Sequence, residues 1–321
     1  MNVEDDLAVL AFAAQRPSAL ATVVSALGSA PRGLGSHMAV RADGLFAGSV
    51  SGGCVEAAVI AEARDLLAGG PPRRLDYGVA DETAWSVGLA CGGNISILLT
   101  AAPPEPLRLV TEAVAAGRSA ALMLDATGLV EAVADGHDCG LDGETRTRIH
   151  AMAEADASGP LADGRFVRAY GPPWRLVLVG AVHIAQTLAP MARAAGFGVV
   201  VIDSRRAFAD PARFPDIDLR HGWPDEVLPS LRLDRRTALV TLAHDPRIDD
   251  PALAAALATG CFHVGALGSR RTHAARLERL GPGAERISGP VGLDIGASHP
   301  AEIAVAILAE TILARRGGKW S

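Results

Sequence analysis

Two cysteines in the first hundred residues stand beside paired glycines, Cys54 in GSVSGGCVE (48–56) and Cys91 in LACGGN (89–94). Ser51, Gly52 and Gly53 form a turn that opens an amphipathic segment, and glycine lets a ligand approach the backbone closely. The free N–H groups and the positive end of the following helix favour an anion and a thiolate there. Cys91 precedes Gly92 and Gly93 at the entry to an apolar strand, so the two thiols are expected to face one pocket. The loop GSAPRGLGS (28–36) adds a single positive charge, Arg32, positioned to close over an anionic ligand. On local pattern alone, Cys54 reads equally as a small buried residue behind a tight turn, and Arg32 as a solvated loop arginine.

The second half places different chemistry at strand ends. RLVLVGAVHIA (175–185) stands where a dinucleotide fingerprint would, after a strand and opening a helix that carries His183. Gly180 supplies the first glycine, Val182 occupies the second glycine position, and Ala185 is acceptable at the third. Asp203, at the end of GVVVID, is where a ribose-binding acid belongs. Valine at the diphosphate position weakens conventional NAD binding, and Asp203 reads equally as a strand-end cap. His244 follows ALVTLA, Ser269, Arg270 and Arg271 follow FHVGALG, and Asp294 lies between glycines in GPVGLDIG (289–296). In open α/β sheets ligands bind outside the carboxyl ends of strands, where these residues fall, although each has a bland reading as a loop, helix-start or turn residue.

The elements that must position these groups follow from periodicity. A helix over about 3–14, a strand in SALATVV, a hairpin at Asp43-Gly44, a helix in CVEAAVIAEARDLLAGG and a strand in NISILLT make residues 1–100 an α+β domain. Residues 101–173, bounded by AAPPEP and GPP, read as a mixed connecting segment that completes it. Residues 174–321 alternate near-continuously apolar strands with helices, one of them near 251–259 and the last from Pro300. That alternation predicts a Rossmann-like, doubly wound parallel sheet.

Composition excludes several classes. The 321 residues are 49% hydrophobic and 21% charged, ordinary for a globular chain. Aromatics at 4% and a net charge of −6 argue against nucleic acid. Four cysteines without a CxxC pair, and histidines without HExxH, give no disulfide framework and no metal site. Lys319 is the sole lysine, which removes an internal Schiff-base or Walker lysine. Glu4, Asp5 and Asp6 stand where a secretory signal needs positive charge, and no run reaches the roughly 18 apolar residues of a span, so the reading is cytoplasmic with no membrane. Residues 1–173 are acidic and 174–321 basic, so Arg270 and Arg271 are expected to supply positive field to a cleft shared by both domains in a homodimer.

Taken together, GSAPRGLGSHMAV, AGSVSGGCVE, CGG, GALGSRRTHAARL, GPVGLDIG and PAEIAVAILAE resemble the xanthine dehydrogenase accessory factors, the XdhC/CoxI family. The resemblance covers most of the chain and is weakest in the middle. It implies an XdhC/CoxI-type domain followed by a Rossmann-like domain. It further implies a non-catalytic maturation factor that binds molybdenum cofactor, as molybdopterin or a dinucleotide form, and protects it during sulfuration. Delivery is then to a xanthine dehydrogenase-type molybdenum hydroxylase, with a cysteine desulfurase as sulfur donor. Soft thiolates suit a molybdenum–sulfur centre, which makes Cys54, with Cys91, the principal expected ligand. The competing reading is an NAD(P)-dependent oxidoreductase using His183 or His244 as proton donor. Two departures from the family pattern stand out: Val182 in place of glycine, and His299 in place of a threonine cap, the latter costing at most about 1 kcal/mol.

Overall fold

The computed structural model describes residues 3–28, 32–78, 94–128, 130–134 and 140–318. The chain divides into two compact units, Met1–Pro172 and Pro173–Ser321.

In the first unit, α1 (Val3–Ala13), β1 (Ser18–Leu27), β2 (His37–Arg41), β3 (Phe46–Gly48), α2 (Glu56–Leu67), β4 (Arg73–Tyr77) and β5 (Asn94–Ala101) precede a second group. That group is α3 (Pro104–Ala115), β6 (Ala120–Leu124), β7 (Val130–Ala134), α4 (Gly143–Glu154), β8 (Ser158–Pro160) and β9 (Phe166–Tyr170). The strands form two antiparallel sheets, ordered β3-β2-β1-β5-β4 and β7-β6-β9-β8. Strand alternation sorts the side chains into layers. Ala19, Ala21 and Val23 of β1 face α2, together with Ile95, Ile97 and Leu99 of β5. Leu20 and Leu98 face the other way, into a core shared with Leu10 of α1, Leu107 and Val110 of α3, and Leu122 and Leu124 of the second sheet. Ala121 and Met123 bury the remaining face under Ile149 of α4. The layers therefore run α2, first sheet, α1 with α3, second sheet, α4. Each Leu, Ile or Val so buried contributes about 1.5–3 kcal/mol. The Asp43-Gly44 hairpin forms as expected, Gly44 taking φ +86° between β2 and β3.

The second unit runs β10 (Trp174–Val179), α5 (His183–Ala194), β11 (Phe197–Asp203), β12 (Asp218–His221), α6 (Pro224–Leu231), β13 (Thr237–Thr241), α7 (Pro246–Ala258), β14 (His263–Ala266), α8 (Arg270–Leu280) and α9 (Pro300–Arg315). The sheet is parallel, ordered β12-β11-β10-β13-β14. α5 and α9 bury Leu188 and Ile307 on one face, while α6 and α7 bury Leu228 and Leu253 on the other, the expected Rossmann-like arrangement. Three local readings are revised. The helix expected near 251–259 begins at Pro246, because Asp245 accepts the Arg247 N–H at 3.0 Å and proline is well suited to a first helical position. β12 and α6 were not foreseen, since DLRH is too short and too polar to show a strand pattern. His299 does cap α9, its Nδ1 accepting from Ala301 N at 3.3 Å while Glu302 accepts from His299 N at 3.1 Å.

Candidate functional site

Glu56, the first residue of α2, organises the glycine-rich loop of the first unit. Its carboxylate accepts five hydrogen bonds: from Ser49 Oγ (2.6 Å), Val50 N (3.2 Å), Ser51 N (2.9 Å), Ser51 Oγ (2.5 Å) and Gly53 N (2.9 Å). Burial pushes this carboxyl up, but the two serine hydroxyls and the loop N–H groups outweigh it and bring it down to about 2. The anion cradle anticipated for a ligand is thus filled by a side chain of the loop itself. Chain geometry is the reason: an acid at the first helical position reaches back over a three-residue turn. Gly52 and Gly53 adopt φ +81° and +123°, and a Cβ on Gly53 would meet nothing within 4 Å. Cys54 sits on this pinned loop, two residues before α2, half-buried against the core beneath α2 and present as a free thiol.

A cavity of about 430 Å³ opens at the far ends of β1, β4 and β5, lined by Ser25, Leu27, Arg74, Asp76, Tyr77 and Asn94 among others. A register shift between Val23 and Ser25 interrupts the β1–β5 pairing, which then continues through Leu27 and Asn94. Arg74 Nη2 donates to Ser96 Oγ (2.8 Å) and Nε to Asp76 (3.0 Å), and the Ser96 hydroxyl, with Arg74, holds Asp76 below the usual carboxylate range. Tyr77 and Cys54 pack against the same core. Cys91 and Gly92, expected near this end, lie outside the described residues.

Arg32 is half-buried, and it adds to the positive field around buried Asp6. Asp6 belongs to a network that sequence reasoning missed. Arg168, 2% exposed, donates from Nη2 to Asp6 (2.7 Å) and from Nη1 to Ser158 Oγ (3.2 Å), and its guanidinium lies 4.6 Å from the Tyr170 ring centroid. Tyr170 Oη meets His37 Nε2 at 2.6 Å, and His37 Nδ1 meets Thr22 Oγ1 at 2.9 Å. Burial, then the positive charge of Arg168, lowers His37 to about 3, so it is neutral. The available signal was polar residues at alternating strand positions inside HMAVR and FVRAY.

In the second unit the sheet brings Gly180, His244, Ser269 and Arg270 to its carboxyl edge. Gly180 (φ +113°) lies where a Cβ would come within 2.7 Å of Ala243 N, so glycine is needed for close approach of the β10 and β13 ends. Val182 caps α5 without a side-chain hydrogen bond, and His183 is exposed at the first helical position. Asp203 is fully buried. Its Oδ2 accepts from Ala181 N (2.7 Å) and Arg205 Nη2 (2.7 Å), and its Oδ1 from Arg205 N (2.8 Å) and Nε (2.9 Å). The carboxylate expected to face a ribose is therefore engaged inside the protein. His244 is exposed with φ +59°. Ser269 caps α8 through Thr272 N (3.1 Å), and Arg270 is exposed. Asp294 is exposed on a loop held to β14 and α9 by Val291 N to Ala266 O (3.1 Å) and Leu293 N to Ala306 O (3.2 Å). Buried Asp249 and Arg276, behind this edge, were not foreseen. Among the described residues no cluster of three or more His, Cys, Asp or Glu suits a metal ion, and no helix is long and apolar enough to cross a membrane.

Comparison with known proteins gives a consistent answer along the chain. The XdhC and CoxI family profile matches residues 11–78, and the XdhC Rossmann domain profile matches 176–311. The molybdenum cofactor insertion chaperone PaoD of Escherichia coli is 32% identical over 97% of this chain and 89% of its own length. A Bacillus subtilis protein described as a probable xanthine dehydrogenase subunit is 29% identical over 94% of each chain. The crystal structure of a protein described as a xanthine dehydrogenase from Bacillus halodurans superposes with a TM-score of 0.81 at 26% identity, covering 99% of this chain and 97% of that one. Similarity of this extent, spanning both units, means that the chain belongs to the XdhC and CoxI family.

Proposed function

We propose that this protein is a molybdenum cofactor chaperone that holds the cofactor as cargo, protects it during sulfuration and passes it to a xanthine dehydrogenase-type hydroxylase. The relatives' names support cofactor maturation as the general role. The observation that carries the reading is the Glu56-tethered loop, which presents Cys54 on a rigid turn with open space over Gly53. A thiolate is a soft ligand matched to a molybdenum–sulfur centre. Ser51, Gly52 and Gly53 shape the turn, and in this proposal Arg32, Cys91 and Gly92 also serve the cargo within the first unit. A cysteine desulfurase supplies sulfur in this scheme, and the chaperone acts as a cytoplasmic homodimer without itself catalysing a step.

The NAD(P)-dependent alternative is disfavoured by one observation, the engagement of Asp203 with Ala181 and Arg205. The deciding experiment loads purified protein with molybdopterin and, separately, with NADH, followed by gel filtration. Retention of molybdopterin by the wild type and its loss in Cys54→Ser supports the chaperone reading; retention of NADH alone rejects it.

A further inference from the structure

The turn between β14 and α8 gathers positive charge with no acid on the first turn of its own helix. Gly268 takes φ +146°, Ser269 caps the helix, and Arg270 and Arg271 are exposed at its first two positions. First-turn N–H groups have no helical acceptor, and arginines there add to the positive end of the helix dipole where acids would offset it.

Directly behind this turn lies Arg276, 2% exposed. Its Nη2 donates to Leu267 O at 3.1 Å and would stand 3.9 Å from a Cβ on Gly268. Nη2 is 4.0 Å from Asp249 Oδ2, too far for a hydrogen bond, while Nε and Nη1 have no acceptor. Asp249 Oδ1 and, at the end of β13, Thr241 Oγ1 are also buried without partners. Buried polar atoms in native proteins are almost always satisfied, so the orphaned Arg276 N–H donors beside a helix N-terminus mark a place where a ligand supplies the acceptors, whereas Asp249 Oδ1 is an acceptor that such a ligand leaves unserved. The neighbouring Asp250 is occupied by Arg279 at 2.7 Å. Three guanidinium groups against the one carboxylate of Asp249 leave about two positive charges, which matches a phosphate dianion and exceeds what a carboxylate would balance.

We propose that the β14–α8 turn, Gly268–Arg271 backed by Arg276, binds a phosphate or diphosphate group, taking over the role that the β10–α5 turn plays in dinucleotide-binding folds. The β10–α5 turn is closed to that role: Asp203 accepts the Ala181 N–H, and Val182 carries a side chain where the diphosphate would touch backbone. The site goes beyond the cargo reading, because it needs neither Cys54 nor molybdenum. Its phosphate comes either from a nucleotide or from a simple phosphate ester.

Isothermal titration calorimetry on the full-length protein at low ionic strength, with inorganic pyrophosphate, ADP and phenyl phosphate as probes, tests the site. Saturable binding at one site per chain is expected. Replacing Arg270 and Arg271 together by alanine should weaken it at least tenfold, and Arg276→Met should abolish it with the circular dichroism spectrum retained. Arg316→Ala, at the end of α9, is the control and should bind as the wild type does. Tighter binding of ADP than of pyrophosphate assigns a nucleotide, and equal affinities assign the phosphate group alone. Absence of binding by the wild type at millimolar probe overturns the proposal, as does unchanged affinity in the double variant, which decides the matter if Arg276→Met fails to fold. Pyrophosphate contains no pterin, so protein that binds it but does not retain molybdopterin refutes the cargo reading alone, and the converse refutes this one alone.

Discussion

Asp203, at the end of β11, accepts the backbone N–H of Ala181, 22 residues earlier, at 2.7 Å. One bond thereby occupies both the acid that a ribose would need and a donor that a diphosphate would need. Burial pushes Asp203 up, but Arg205 and the Ala181 N–H outweigh it and keep its carboxyl below the usual range.

It follows that restoring the fingerprint glycine is not enough. Val182→Gly is expected to leave the affinity for NADH unchanged, because Asp203 still holds Ala181. Fluorescence titration showing a tenfold gain in the variant would contradict this.

Cys54→Ser should fold normally, since the exchange is nearly isosteric on a half-buried loop, and should lose most molybdopterin retention. Cys139→Ser is the comparison, with retention unchanged. Equal loss in the two variants would mean that Cys54 has no special part.

Glu56→Gln removes the charge from five hydrogen bonds and is expected to cost about 1–3 kcal/mol. Because the folded carboxyl lies near 2 and the ordinary value is 4.5, its stabilisation is complete above about pH 4.5 and is lost as pH falls toward 2. Urea unfolding of both proteins at pH 7 and pH 3 should show the gap narrowing in acid; a constant gap would count against the assignment.

His37 is held at about 3 against an ordinary 6.5, so the unfolded chain takes up a proton that the native state refuses. Its contribution is full above pH 6.5 and falls on the order of 1 kcal/mol per pH unit below it. Relative to His37→Gln, the wild type should lose stability between pH 6.5 and 5. Tyr170→Phe, which removes the partner of Nε2, should cost about 1–3 kcal/mol at pH 7.

Asp249 has the opposite sign. Burial raises it to about 6 despite Arg276, and Asp250 pushes the same way, so ionising it in the native state is costly. Asp249→Asn should gain on the wild type by on the order of 1–3 kcal/mol as pH rises from about 4 to about 6. A pH-independent difference would show that Asp249 does not titrate in that range.

The sequence by itself determined the alternation of the second unit, the Asp43-Gly44 hairpin and the family, because each rests on local period, turn chemistry or runs of adjacent residues. It also located the loop from Ser51 to Cys54 and the strand-end positions of Ser269 and Arg270. Tertiary structure alone decided which polar groups remain available. Glu56 and Asp203 are spent on backbone N–H groups brought to them by the folding of a loop and by the pairing of β10 with β11. His37 and Tyr170 are 133 residues apart, and Arg168 and Asp6 are 162 apart, so no local pattern announces their pairing. Arg276 reads in sequence as one more charge on a polar helix; it is buried because α8 packs against α7, and the orphaned donors that make it informative exist only once those helices are in place.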